Sequence, residues 1–271
     1  MRRTGLPLLP ALVMSAKRAV WRMHDHAGEA DKAFLKIRGP VLDAADYQCR
    51  FCTLRSDKYQ EVHHLDDNHA NNAKENLACT CPLCHQVFHI GLASMRDGAY
   101  VINMPELSQA EINQLCLVMW IVEKTDTSRF DAQQALSYQN LANRVKTLRA
   151  LMENRRGNVK IRFCNELEKA GFPKDFTKKV SLDSINAALI ANVLMGLSDE
   201  LYAQRQDLLG GLRLMPRAER FDTQLKHWVE EQGKTLPISA WYKILDDEHF
   251  SGIVLSSSDK VAAAYQAGEV A

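Results

Sequence analysis

The chain has 271 residues, 46% of them hydrophobic, and a formal net charge of +1 at pH 7. That length allows two domains, and the balanced charge excludes a protein drawn to nucleic acid by its overall field. No apolar run reaches the roughly 18 residues that a membrane-spanning helix needs.

In chain order, residues 1–45 form an N-terminal extension. Its opening, MRRTGLPLLPALVMSAKRA, sets two arginines before a short apolar stretch, but Pro7 and Pro10 break that stretch and it is not read as a secretory signal. The apolar segment continues to Met23, and the polar link HDHAGEAD carries His24 and His26, which are expected to face solvent, the alternative being a contribution to a metal site. A short helix is expected over Ala33–Ile37.

Between Cys49 and His89 lie five of the chain's seven cysteines and five of its nine histidines. Cys49-x2-Cys52 and Cys81-x2-Cys84 are two knuckles, and such pairs close a tetrahedral shell around zinc. Cys79 stands two residues before Cys81, and the CxxC spacing favours Cys81. A strand over Tyr59–Leu65 would place Val62 and His64 on one face and His63 on the other. The turn formers Asp66, Asp67, Asn68 and Asn71-Asn72 make a loop, in which His69 is expected to be solvated. Pro82 suits the first turn of a helix carrying His85 and His89, whose i,i+4 spacing puts both imidazoles on one face. Thiols in metal-ligand spacing imply a reducing compartment, hence a cytoplasmic protein.

A strand, Ala99–Met104, follows. Ser108 with Glu111 fits a capping box, and Leu107, Ile112, Leu115, Cys116, Met119 and Val122 recur at helical spacing. Cys116 reads as a core thiol. From Thr125 on, the pattern reads as all helix: Ala132–Asn154, Ile161–Ala170 (with Cys164 on its apolar face), Leu182–Met195, Asp199–Leu208 and Arg217–Glu231. Breaks fall at Gly157, Gly171-Phe172-Pro173 and Gly210-Gly211. From Arg144 to Lys179 there are eleven Lys/Arg against four Asp/Glu, whereas Asp46–Gly98 has five against seven. The positive charge therefore lies off the cysteine module, where it reads as a solvated helix face or as a surface that meets nucleic acid or an acidic protein. Residues 233–271 read as a tail in which Trp241–Leu245 could dock.

The order of the cysteines and histidines resembles the HNH nuclease fold, or ββα-metal fold, in its four-cysteine form. The resemblance implies a structural zinc at Cys49, Cys52, Cys81 and Cys84. It makes His64 the general base and Asn76 the residue that orients it. His63, His85 and His89 become the ligands of a catalytic Mg²⁺, Mn²⁺ or Zn²⁺. Activated water would then attack a phosphodiester. The competing reading of the histidines is a vestigial set on a module that keeps only the fold.

A second resemblance draws on residues outside that module. DYQCRFC, KYQEVHHLDDNHANNAKENL, MPELSQAEINQLC and RLMPRAERFDTQLKHW together resemble the IcmJ/DotN family, zinc-binding, HNH-like components of type IVB secretion and conjugative transfer machines. The likeness runs from about Leu12 to Trp228. It implies membership of a coupling complex at the inner membrane, as an adaptor that binds the transfer ATPase, a role that needs no nuclease chemistry. The expected class is α+β: a zinc HNH module with its packing helix over 46–125, a helical domain over 126–232 and the tail. A docking surface is expected at the corner Met104–Leu107 and at Leu212–Arg217, where Arg213 and Arg217 flank apolar residues.

Overall fold

A computed structural model describes residues 9, 11–16, 27–157, 159–174 and 186–235. His24, His26 and the Trp241–Leu245 segment lie outside those residues, as does the start of the helix expected from Leu182. The fold is mixed α and β and mostly helical.

The first helix, α1, spans Ala27–Ala44 and contains Pro40, so it is far longer than the Ala33–Ile37 segment expected. Gly39-Pro40 reads locally as a stop, because proline removes a helical hydrogen bond. Tertiary packing overrides it: Phe34, Ile37, Val41 and Leu42 bury one helix face against Val62, Leu77 and Cys79. Those three residues lie on the antiparallel pair β1 (Glu61–His64) and β2 (Leu77–Thr80), in which Val62 faces Cys79 and His63 faces Ala78. Alternation along β1 thus turns Val62 and His64 toward α1, and Glu61 and His63 toward the opposite side.

Helix α2 spans Pro82–Phe88, with proline in its first turn, and α3 follows at Ile90–Met95. The expected single helix through His89 is interrupted there, since His89 sits between them with φ −131°. The extension holds this break open. Ser15 N–H donates to the Val87 carbonyl at 2.9 Å, and Ile90 N–H donates to the Ser15 carbonyl at 3.1 Å. Arg205 Nε in turn holds Ser15 Oγ at 3.1 Å.

β3 (Ala99–Asn103) pairs antiparallel with β4 (Leu212–Pro216), Ala99 opposite Pro216 and Asn103 opposite Leu212. This corrects the all-helical reading beyond Thr125. Gly210 and Gly211, read from sequence as a break, form the turn that launches β4. Gly211 has φ +92°, and a Cβ there would lie 2.6 Å from Pro105 Cβ. The expected docking surface is corrected too. Met104, Leu107, Leu212, Leu214 and Met215 are buried, Glu106 bonds the buried Arg155 at 2.9 Å, and Arg213 Nε is spent on the Leu107 carbonyl at 2.7 Å.

α4 (Gln109–Lys124) starts at the expected capping box, with both of its hydrogen bonds made. Its apolar stripe is buried under α5 (Ala132–Asn154) and the later helix α10 (Asp222–Thr235), where Trp120 stacks on Phe221 at 5.9 Å. α6 (Val159–Lys169) and α7 (Ala187–Met195) build a second core with α3 and β3. The helix expected over Asp199–Leu208 is divided into α8 (Asp199–Ala203) and α9 (Arg205–Leu208), and the Arg217–Glu231 helix begins only at Asp222. Part of the basic strip is neutralised within the fold: Arg149 pairs with Glu123, Arg155 with Glu106 and Lys169 with Glu166.

Candidate metal centres

Cys49 and Cys52 occupy a tight turn closed by the Gln48–Arg55 bridge. Cys49 N–H donates to the Leu54 carbonyl at 2.8 Å, and Thr53 at the tip has φ +64°. The buried Gln60 amide clamps this turn, donating to the Tyr47 and Leu54 carbonyls at 2.8 Å each. Cys81 directly precedes α2 and Cys84 lies in its first turn, whose Cys84 and His85 N–H groups both point to the Cys81 carbonyl.

All four residues are at most 4% exposed. Their sulfurs lie within 4.8 Å of one another. Cys52 and Cys81 Sγ are 3.5 Å apart, too far for a disulfide bond. Burial opposes ionisation of Cys49, but hydrogen bonds from Cys52, Cys81 and Cys84 outweigh it and hold this thiol well below its usual range. Burial and the same neighbours push Cys81 well up. Hydrogen bonding with Cys49 and Cys52 pushes Cys84 up as well. A cation at the centre of four sulfurs this close would favour the thiolate form of all four.

The support around the cluster reaches across the chain. Asn113 Nδ2 on α4 donates to Cys84 Sγ and to the Leu83 carbonyl, both at 3.2 Å. Gln109 Nε2 donates to Asn113 Oδ1 at 3.1 Å, and the same amide pairs with Leu214 on β4, donating to its carbonyl at 2.7 Å and accepting from its N–H at 2.8 Å. Cys79, the spare cysteine, points from β2 to the α1 side, where burial pushes its thiol up to about 12.

A second cluster forms on the other face of β1. His63, His85 and His89 bring one ring nitrogen each within 4.8 Å of the others, and the His85 and His89 Nε2 atoms are 3.2 Å apart. His63 stacks on Phe88 at 3.9 Å with the rings 12° from parallel. Burial first, then the neighbouring imidazoles, lower its pKa to about 2, which keeps it neutral and able to donate a lone pair. Glu61, which the sequence reading missed, accepts from His85 Nδ1 and so leaves His85 Nε2 facing the cluster. A carboxylate behind a ligating imidazole fixes its tautomer and raises its basicity. The signal was present in the sequence: Glu61 is two residues before His63 on a strand and shares its face.

His64 is not part of this cluster. It lies on the α1 side of β1, 2% exposed, with Phe34 at 5.4 Å and His69 stacked on it at 4.8 Å. Its Nε2 meets Asn72 Oδ1 at 3.0 Å. Asn76, expected to orient it, is occupied elsewhere. Its Nδ2 donates to Asp66 Oδ1 and to the Asn71 carbonyl at 2.8 Å each, and its Oδ1 accepts from Asp66 N–H at 3.0 Å. The orienting contact thus falls to Asn72, Asn76 ties the loop together, and His69 is half-buried rather than solvated.

Mixed α and β structure around a buried four-sulfur cluster, with a triad of imidazoles close by, describes a chain built on metal-ligating groups. Among the described residues no helix is long and apolar enough to cross a membrane. No known family profile matches the chain. It is similar to a protein of a type 4 apparatus. That relative is the type 4 apparatus protein DotN of Legionella pneumophila, 26% identical over 220 residues, which cover 80% of this chain and 89% of the relative.

Proposed function

We propose that this protein is an adaptor in the coupling complex of a type IV secretion or conjugative transfer system. In that role it binds the transfer ATPase and sits peripherally at the inner membrane through the complex. The observation that carries this reading is the extent of the likeness to DotN, which covers 80% of the chain and so includes much more than the metal-site segment. The Asp46–Thr125 unit acts as an HNH-like module, and the helices after it complete the adaptor.

Zinc is the ion that the cysteine cluster fits. Four sulfurs around one zinc stand roughly 3.8 Å apart. The observed sulfurs, all within 4.8 Å and 3.5 Å apart for Cys52 and Cys81, need only small adjustments to reach that spacing. Cys49, Cys52, Cys81 and Cys84 would hold the ion, and its contribution would be to tie the two knuckles together.

The second reading is a metal-dependent endonuclease, favoured by the meeting of His63, His85 and His89 and by the Glu61–His85 contact. Burial of His64 under α1 weighs against it, because a general base has to reach water. The two readings separate in one experiment. The purified chain should retain the cytosolic tail of its cognate transfer ATPase at 1:1 stoichiometry, and His64→Ala should bind equally well. Plasmid DNA should stay uncut in Mg²⁺ or Mn²⁺. Failure to retain the tail overturns the partner assignment. Cleavage that His64→Ala lowers by roughly 10²–10⁴ establishes the enzyme instead.

A further inference from the structure

We propose that Asp57, His227 and Glu231 form a third metal site, one that takes a divalent transition-metal ion such as Zn²⁺ and clips α10 to the segment following the first cysteine knuckle. The three residues offer one imidazole nitrogen and two carboxylate oxygens within 4.8 Å of one another. One histidine with two carboxylates is a set that Zn²⁺ accepts readily, with water completing the shell. The site shares no residue with the cysteine or histidine clusters.

His227 and Glu231 are four residues apart on α10 and so project from one face of it. Asp57 comes from the loop between Cys52 and β1, more than 160 residues earlier in the chain. His227 Nε2 lies 2.7 Å from Asp57 Oδ1 and 3.9 Å from Glu231 Oε2. Ligand atoms held 2.0–2.2 Å from one ion are separated by roughly 3–3.6 Å, and the observed pair of distances brackets that range.

The orientation is already set. Asp57 N–H donates to Glu231 Oε1 at 2.9 Å, which leaves the other carboxylate oxygen as the one near the imidazole. Tyr59 meets the His227 ring edge-on at 5.6 Å and fixes its plane. His227 and Glu231 are 16% and 21% exposed, whereas Asp57 is 70% exposed and leaves a way in for the ion. A simple ion pair would need only one carboxylate beside His227. Two around one imidazole repel each other, and a divalent cation offsets both. Arg55 also feels Glu231, but its guanidinium is engaged by Asp46 through bonds of 2.8 and 3.1 Å.

The test uses the full chain carrying its cysteine-site metal. In a His85→Gln/His89→Gln background, which silences the histidine cluster, Zn²⁺ titrated by calorimetry should bind with one equivalent. Adding His227→Gln should weaken that binding at least tenfold. Zn²⁺ at about a hundred times its Kd should raise the melting temperature by roughly 5 °C, and the rise should vanish with His227→Gln. A second arm needs no background substitutions. Co²⁺ added to the unsubstituted chain should shift the His227 ring-proton signals, and Glu231→Gln should reduce that shift. Binding that is equal with and without His227→Gln, or His227 signals that ignore Co²⁺, would show an ordinary Asp57–His227 ion pair and overturn the proposal.

Discussion

The cysteine and histidine clusters are neighbours in sequence and share α2, yet they are supported in different ways. The cysteine cluster is sealed: its residues are at most 4% exposed, and Asn113 and Gln109 connect it to β4, more than a hundred residues downstream. The histidine cluster is more open. His85 is 25% exposed and the Glu61 behind it 43%, and His89 lies at a helix break held by Ser15. A sealed donor set joined to two cores is suited to holding a fold together. An open one, with its candidate base on the far side of a strand, is suited to a ligand that comes and goes without disturbing the packing. The same stretch of sequence thus yields one sealed donor set and one open one.

The largest effect expected from this contrast lies at the cysteines. Cys52→Ser should lose the metal and unfold the module, since structural zinc supplies on the order of 10 kcal/mol of apparent binding energy to small domains. A chelator strong enough to strip the ion should do the same. His89→Ala should stay folded with the cysteine-site metal in place. Elemental analysis together with circular dichroism would check all three. A folded, metal-free Cys52→Ser, or an unfolded His89→Ala, would reverse the contrast.

Much of this contrast was legible in the sequence, and the parts that were not have physical reasons. Paired CxxC knuckles announce themselves because thiolates must come from tight turns at fixed spacing, and Ala132–Asn154 is observed with the bounds read from its periodicity. β4 was hidden: five residues, LRLMP, hold too little alternation to read as a strand, and the partner β3 is remote in sequence. Its burial is decided by tertiary contacts that no local pattern encodes. The Pro40 helix was cut short for the opposite reason, a local breaker outweighed by a buried face. Asn72 and Asn76 could not be told apart because loop geometry, not spacing, decides which amide reaches His64.

An intermediate effect should appear at Gln109, where the sealed site meets the second sheet. Gln109→Leu deletes the pairing with both Leu214 backbone groups and the bond to Asn113, stranding buried polar atoms on three sides. Each stranded group costs about 1–3 kcal/mol, so a loss of roughly 2–4 kcal/mol is expected after relaxation. Urea unfolding would measure it. Retention of the cysteine-site metal in the variant would show that Gln109 supports the site from outside its ligand set. A loss below about 0.5 kcal/mol would mean that β4 is held by β3 alone and that the two cores are less connected than the hydrogen bonds suggest.

The smallest and most selective effect concerns Glu61, the residue that distinguishes an ion-ready histidine cluster from three imidazoles that merely pack together. Its carboxylate holds His85 Nδ1 from the strand side, so the proton stays on Nδ1 and the Nε2 lone pair turns toward His89 and His63. Glu61→Gln keeps the shape and can still accept through its amide oxygen, but it removes the charge that makes the imidazole a better donor. Such outer partners are typically worth 10–100-fold in metal affinity. Glu61 is 43% exposed, so its removal should cost the fold little. The expected result is therefore a split: Mn²⁺ or Zn²⁺ binding at the histidines weakened 10–100-fold, with the melting temperature and cysteine-site metal unchanged. Calorimetric titration alongside thermal unfolding would read both halves. Unchanged affinity would reduce the Glu61–His85 contact to a surface ion pair and leave the histidines as packing groups. A large fall in melting temperature would make the cluster structural, and the contrast between the two centres would then have to be abandoned.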